Sequence, residues 1–206
     1  MMAILSKNKI EEYLSHTNPE ARLVITPILD KAKQLGASTV DLRLGNTFKV
    51  DVRTRQPYID PMNMDRPIDT FFDYTYRNFG EKFLLYPNQL AIASTFEYVR
   101  LPENLFGLLV TRSSWNRLGL SISSIVQPGY AGVLTLELLN NSSNPIAIYP
   151  GLRFVQLLLF PIEMGVDVSS YISHSLSKYI ANAEPNVSNI CKDSDFEKLK
   201  SFQSDL

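Results

Sequence analysis

The chain has 206 residues, of which 45% are apolar and 20% charged, a size and balance typical of one globular domain with a well-buried core. Its 20 Lys and Arg residues are matched by 21 Asp and Glu residues. Because nucleic-acid polymers are bound mainly through surplus positive charge, we expect no such partner. The apolar runs are too short to span a membrane, and the first residues lack a signal-peptide core, so the sequence predicts a cytoplasmic protein without membrane contact.

Cysteine and histidine are scarce: the sequence has only Cys191, His16 and His174. One cysteine cannot form an internal disulfide, which is typical of a reducing compartment. Three such residues also cannot supply a Cys/His zinc site, and the zinc-deaminase signature with its cysteine pair is absent. We therefore expect any hydrolytic chemistry to run without zinc, whereas Mg²⁺ held by substrate phosphates stays open because it needs few protein ligands.

Two short helices and a hairpin are predicted near the N-terminus. Residues 7–15 carry apolar side chains on one helical face after Ser6 in the N-cap position, and residues 29–35 form a second helix. Residues 37–45 alternate apolar and polar side chains and end in a Gly-Asn turn. This pattern predicts a strand that pairs as a hairpin with residues 48–52.

Residues 56–80 are rich in Pro, Asp, Asn and aromatic residues and keep neither a helical nor a strand period. They are predicted to form a surface excursion that carries one short strand. An alternative is an aromatic platform or lid built from Phe71, Phe72, Tyr74 and Tyr76.

From residue 82 onward, short apolar segments alternate with turns that contain Pro, Gly or Asn. This spacing predicts an all-β barrel or a jelly-roll sandwich, followed by a short helix over residues 193–202. The predicted strands are 83–86, 90–98, 105–111, 120–126, 133–139, 146–149 and 154–160.

A compact Arg-Ser-Ser-x-x-Arg cluster follows the strand at 105–111. The guanidiniums of Arg112 and Arg117 can form bidentate bonds to phosphate, and the hydroxyls of Ser113 and Ser114 add further donors. The cluster thus favours phosphate binding. The same spacing also fits a helical turn capped by Ser113, with both arginines solvated.

Glu137 interrupts the apolar run 133–139, where alternation places it on the same face as Thr135. A carboxylate between Leu136 and Leu138 is expected to be partly desolvated. Its pKa would then rise, which makes it a usable base near neutral pH. The alternative is a glutamate that faces solvent at a sheet edge.

Several segments resemble the dCTP deaminase branch of the dUTPase-like superfamily. They follow the order of that family and cover most of residues 4–180. The matching segments are STVDLRLGN at 38–46, LPENLFGLLVTRSS at 101–114, RSSWNRLGL at 112–120, PGYAGVLTLELLN at 128–140, PIAIYPGLRFVQLLLF at 145–160 and the pair Lys178-Tyr179.

The resemblance implies a mainly β fold, a distorted β-barrel or jelly-roll of the dUTPase-like type with a few short helices, in residues 1–170. Residues 171–206 would form a C-terminal arm or tail that closes over the active site. The resemblance also implies a homotrimer with active sites shared between subunits.

The activity implied is hydrolytic deamination of the nucleoside triphosphate dCTP to dUTP and ammonia, with Mg²⁺ held by the triphosphate and no zinc. Glu137 matches the catalytic glutamate, while Ser113 and Arg117 match residues that position the water and that glutamate. The other positions that match substrate-contacting residues are Arg112, Ser114, Gln127, Thr135, Leu136, Tyr171, Lys178 and Asn182.

Three features depart from the family pattern. Gln127 replaces an aspartate that activates water in dUTPases, so we expect no pyrophosphatase activity. The loop between Leu120 and Gln127 is shortened and has neither Arg nor His, which leaves base selectivity open. Asn182 stands where glutamine is common. Two alternatives therefore remain, a dUTPase-like pyrophosphatase and a non-catalytic barrel that binds a nucleotide or a protein partner.

Overall fold

The computed structural model describes residues 3–162 and 183–203. Within these ranges the chain is mainly β, as predicted, and most strands lie where alternation placed them. The strands are β1 Val24–Thr26, β2 Thr39–Arg43, β3 Thr47–Asp51, β4 Phe72–Tyr76, β5 Phe83–Leu85, β6 Leu90–Arg100, β7 Leu105–Thr111, β8 Ser123–Val126, β9 Ala131–Leu139, β10 Ile146–Ile148 and β11 Arg153–Pro161.

The helices of the described residues are short. The predicted N-terminal and C-terminal helices are confirmed, with ends that differ by one or two residues. The second helix begins later than predicted, because Asp30 caps it by accepting a hydrogen bond from the backbone N–H of Lys33 at 3.1 Å. The α-helices are α1 Lys7–Leu14, α2 Lys31–Gln34, α3 Ser113–Asn116 and α4 Asp195–Gln203, and 3₁₀ helices cover Ile68–Phe71 and Ile190–Lys192.

The described strands pair antiparallel in two larger sheets and one two-stranded ribbon. One sheet has the order β1-β6-β3-β4, with β9 also paired to β6, and the other has the order β2-β11-β7-β8. β10 pairs with β5. The arrangement is jelly-roll-like, and these sheets do not close into one hydrogen-bonded barrel.

The predicted hairpin of β2 and β3 is wrong. β2 pairs with β11, whereas β3 pairs with β4 and β6, in the other sheet. The chain changes sheets at Gly45, whose N–H donates to the carbonyl of Ser94 at 2.8 Å. A Cβ at Gly45 would lie 2.9 Å from that oxygen, so the crossing needs a residue without a side chain.

A single hydrophobic core takes side chains from both sheets. Phe48 on β3 stacks on Phe83 with 4.3 Å between ring centroids, and Phe154 on β11 is fully buried. Leu134, Leu136 and Leu138 on β9 join this core, and each such side chain contributes about 1.5–3 kcal/mol on burial. The burial of these leucines fixes which face of β9 points away from the core.

The excursion between β3 and β5 carries one short strand, β4, as predicted. Of the residues in the alternative aromatic platform or lid, Phe71 is buried and cannot take part, whereas Tyr74 and Tyr76 on β4 are exposed, so for them that alternative stays a prediction. Phe72 instead contributes to a pocket wall.

No helix among the described residues is long and apolar enough to cross a membrane. The predicted domain boundary at residue 170 falls outside the described ranges, as do Tyr171, Lys178 and Asn182. The division into a β domain and a C-terminal arm therefore stays a prediction.

Candidate active site

A pocket of about 460 Å³ lies where the outer face of β9 meets β8 and the excursion after β3. Three of the predicted site residues, Gln127, Thr135 and Glu137, line it. Most of the remaining wall is apolar: Ile59, Ile68, Phe72, Leu90, Ile92, Leu109, Ile125, Val126, Tyr130, Leu134 and Val187, with Ser124, Asn186 and Ser188 as further polar groups.

Glu137 has the placement that alternation predicted. Leu136 and Leu138 point into the core, and Glu137 points from the opposite face of β9 towards the pocket. The Glu137 side chain is exposed in the single chain, as the alternative hypothesis of a solvent-facing glutamate expected. The part of its carboxyl that packs against the pocket walls is nevertheless desolvated, which raises its pKa, and only its own backbone N–H opposes the rise. No Lys, Arg or His of the described residues forms an ion pair with it, so no neighbouring cation offsets this rise. The carboxyl therefore binds a proton at a higher pH than an ordinary glutamate does, which suits a general base.

Residues 127–130 form the predicted tight turn beside Glu137. The N–H of Tyr130 donates to the carbonyl of Gln127 at 3.1 Å, and Gly129 takes a left-handed φ of 76°. The Tyr130 hydroxyl donates to the carbonyl of Val133 at 2.6 Å, and its ring is buried. Tyr130 therefore packs in the wall, and Gln127 offers an amide to the pocket.

The shortened loop contributes an apolar wall. Ser124, Ile125 and Val126 line the pocket, and Ile125 is 57% exposed. Leu120 bridges to Asn140, beyond the end of β9, so the loop is held close to the strand that carries Glu137.

The Arg-Ser-Ser-x-x-Arg cluster forms the short helix α3 at the end of β7. The capping hypothesis for Ser113 is wrong, because the helix begins at Ser113 and Arg112 occupies the N-cap position without a side-chain cap bond. Ser113, Ser114 and Arg117 are exposed, and their side chains have no hydrogen-bond partner among the described residues. These donors are available to a ligand.

The single chain unites only part of the predicted site. Gln127, Thr135 and Glu137 share the pocket, whereas Arg112, Ser113, Ser114 and Arg117 do not line it. The Leu136 side chain lies in the core, which leaves only its backbone to meet a ligand.

Sequence reasoning missed two kinds of residue. Ile59, Ile68 and Val187 reach the pocket from segments without a regular pattern, so no local signal marked them. Asp41, a buried acid next to Arg112, had a signal: it stands between Val40 and Leu42 in an apolar strand, as Glu137 does in β9.

The part of the chain that the structure describes contains no group of three or more His, Cys, Asp or Glu side chains arranged to hold a metal ion.

The fold and the pocket define a mainly β, jelly-roll-like protein with a partly desolvated glutamate facing a ligand-sized cavity. The dCTP deaminase-like family model matches residues 4–162, and the chain belongs to this family. The predicted family and the predicted enzyme class, a dCTP deaminase-like hydrolase, are thus confirmed.

Two relatives illustrate the match. The "dCTP deaminase, dUMP-forming" of Methanobrevibacter smithii is 36% identical over 200 residues, which cover 96% of this chain and 100% of the relative. The "dCTP deaminase" of Thermomicrobium roseum is 35% identical over 182 residues, covering 87% of this chain and 91% of the relative.

Among solved structures, the 2'-deoxycytidine 5'-triphosphate deaminase of Agrobacterium tumefaciens superposes with a TM-score of 0.58 at 22% identity. The match covers 78% of this chain but about half, 48%, of that longer chain. This likeness supports the fold, and the fold alone.

The names of the relatives bear on which product the reaction gives. Five of them, at 34–37% identity, are named dUMP-forming. Those names conflict with the predicted dUTP product, and with the inference from Gln127 that pyrophosphatase activity is absent.

Proposed function

We propose that this chain deaminates dCTP by hydrolysis, with Glu137 as the general base and then the general acid. The observation that carries the proposal is a carboxyl of raised pKa, without a cationic partner in the described residues, on the wall of a pocket large enough for a nucleoside.

Each proton in the proposed reaction has a defined place. Glu137 accepts a proton from water, and the resulting hydroxide adds to C4 of the cytosine ring. Glu137 then returns the proton to the amino nitrogen, the C4–N bond breaks and ammonia leaves. Transfer of the remaining hydroxyl proton from O4 to N3 gives the C4 carbonyl of the uracil ring. One well-placed acid–base group accelerates the reaction by about 10²–10⁴-fold. Orientation of the nucleotide through its phosphates supplies much of the remaining rate enhancement.

The phosphates would be gripped by Arg112, Ser113, Ser114 and Arg117, whose donors suit phosphate oxygens. When bound, Mg²⁺ would neutralise charge on the triphosphate, held through the phosphates themselves. Ser113 and Arg117 also match the residues that orient the attacking water in the dCTP deaminase family, so we expect them to have that role here.

These groups lie outside the pocket of their own chain, so a shared site in a homotrimer fits the geometry. Apolar side chains flank both halves: Leu118 beside Arg117 is 54% exposed, and Leu139 beside Glu137 is 39% exposed. A second copy that covered them would bury apolar area and bring the two halves together. The C-terminal arm, residues 171–206 with Tyr171, Lys178 and Asn182, would close the site, and Val187 within that range lines the pocket.

Five relatives favour a second activity, release of pyrophosphate to give dUMP. Incubation with dCTP, followed by ammonia measurement and chromatographic separation of dUTP from dUMP, tests deamination and identifies the product together. Ammonia release supports the proposal whichever nucleotide forms, and intact dCTP after prolonged incubation with Mg²⁺ would contradict it.

Mixing two inactive variants tests the shared site. The Glu137→Gln variant keeps the phosphate donors, and the Arg117→Ala variant keeps the base. If adjacent subunits complete each site, about a quarter of the sites in randomly mixed trimers combine an intact Glu137 with an intact Arg117, so about a quarter of wild-type activity should return. The variants are refolded together, and their oligomeric state is measured by light scattering. No recovery in confirmed mixed trimers would show that each chain builds its site alone.

A further inference from the structure

Asp41 is a buried acid that lies outside the pocket. It stands in the middle of β2, and its side chain is 8% exposed. β2 is hydrogen-bonded to β11, and β11 to β7, the strand that leads into the Arg-Ser-Ser-x-x-Arg cluster. The sheet therefore brings Asp41 to the base of that cluster.

Three side chains converge on the Asp41 carboxylate. Nε of Arg112 and Nη1 of Arg153 each approach Oδ2, at 3.1 and 3.2 Å. The Nε2 amide of Gln156 donates to Oδ1 at 3.0 Å. Two guanidiniums thus share one carboxylate, which leaves a positive charge at the rim of the sheet.

The Arg112 guanidinium is held on a second side as well. Its Nη1 donates to the carbonyl of Arg153 at 3.2 Å, and Nε1 of Trp115 donates to the same carbonyl at 3.3 Å. Nη2 of Arg112 has no partner in the described part of the chain, and the side chain is 30% exposed. The guanidinium is therefore fixed through Nε and Nη1 and presents its remaining edge outward.

We infer that Asp41 is a positioning residue that orients Arg112 for the triphosphate of the nucleotide. The inference rests on the proposed function, because it needs Arg112 to contact phosphate. An arginine loses much rotamer freedom when it binds, and Asp41 has already removed that freedom in the unliganded chain. Without the carboxylate, Arg112 and Arg153 would also repel each other, which would turn the free edge away.

The test compares Asp41→Asn, which keeps the shape of the side chain but removes its charge, with wild type. We expect the KM for dCTP to rise about 10- to 100-fold while kcat stays within about 3-fold, the range of one charge-assisted contact. The preference for dCTP over deoxycytidine should fall by a similar factor, since the nucleoside has no phosphate. Arg112→Lys keeps the positive charge but loses the two-pronged guanidinium and its Nε–H. This variant should show the same rise in KM with little change in thermal stability.

Glu97→Gln is the matched control, because it alters another buried acid of this fold. A role of Asp41 in folding alone predicts that both acid variants lose stability and neither changes KM. An unchanged KM in Asp41→Asn, with active wild type, would overturn the inference and leave the proposed function intact.

A direct binding measurement separates the two proposals. Calorimetry with inorganic tripolyphosphate should show weaker binding to Asp41→Asn than to wild type, even if wild type fails to deaminate dCTP. Equal affinities, or no binding by wild type, would overturn the positioning role.

Discussion

Glu97 and Glu137 are two glutamates whose pKa is raised by the same cause, burial. Glu97, on β6, is fully enclosed, and its carboxylate accepts hydrogen bonds from Nε2 of Gln34 at 2.9 Å and from the backbone N–H of Arg43 at 2.8 Å. Glu137 faces a pocket, and its own backbone N–H is the group that offsets its burial. Protein donors satisfy one carboxylate, whereas the other is left for a ligand.

The difference teaches how to separate a structural acid from a catalytic one. A buried carboxylate is costly unless donors replace its lost water, so Glu97 fits a role in holding α2 and β2 to β6. A partly buried carboxylate without such donors keeps its capacity to take a proton from a bound molecule. A raised pKa alone would have placed the two residues in one class.

The largest expected effect comes from Glu137→Gln. The amide keeps the shape of the side chain but cannot accept a proton, so kcat/KM for deamination of dCTP should fall about 10²–10⁴-fold. Ammonia release measures the loss. An exposed glutamate, Glu103, provides the control Glu103→Gln, whose rate should match wild type.

The same variant should not lose stability. A carboxyl whose folded pKa is raised contributes stability that is fully present below its unfolded pKa and is lost as the pH rises through the folded pKa. At neutral pH, Glu137→Gln should therefore unfold at an equal or higher denaturant concentration than wild type, and the difference should shrink in acid. Marked destabilisation at neutral pH would mean that Glu137 has a structural role like that of Glu97.

Glu97→Gln should show the opposite pattern. The new amide leaves one N–H group facing either Gln34 or Arg43 without an acceptor, which costs about 1–3 kcal/mol of unfolding free energy. Urea denaturation measures the cost, and kcat/KM per folded molecule should stay within about 2-fold of wild type. Loss of activity without loss of stability would erase the contrast between the two acids.

The smallest effect is a shift in pH dependence. Because the pKa of Glu137 is raised, kcat/KM of wild type should begin to fall, as the pH is lowered, at a higher pH than an ordinary glutamate would give. Gln127→Asp adds a carboxylate to the same pocket. Repulsion between the two like charges should raise the Glu137 pKa further and move the fall in kcat/KM to a higher pH.

Gln127→Leu is the control for side-chain shape. In this variant, the fall of kcat/KM in acid should not shift to a higher pH. Chromatography of the products shows whether Gln127→Asp also increases pyrophosphate release. An acidic limb that is identical in wild type and Gln127→Asp would indicate that a group other than Glu137 controls the rate.

The sequence by itself determined the mainly β class, the positions of most strands and the direction of Glu137. β7 was predicted at 105–111 and lies at Leu105–Thr111. These features are local, because side chains alternate along a strand whatever it pairs with.

Only the tertiary structure decided which strands pair, which residues close the pocket and which acids are satisfied. The sheet change at Gly45 depends on Ser94, the pocket wall combines Ile68 with Val187, and Asp41 meets Arg112 across β11. Such contacts join segments far apart in the chain, and their free energy depends on packing and desolvation, which no local pattern records.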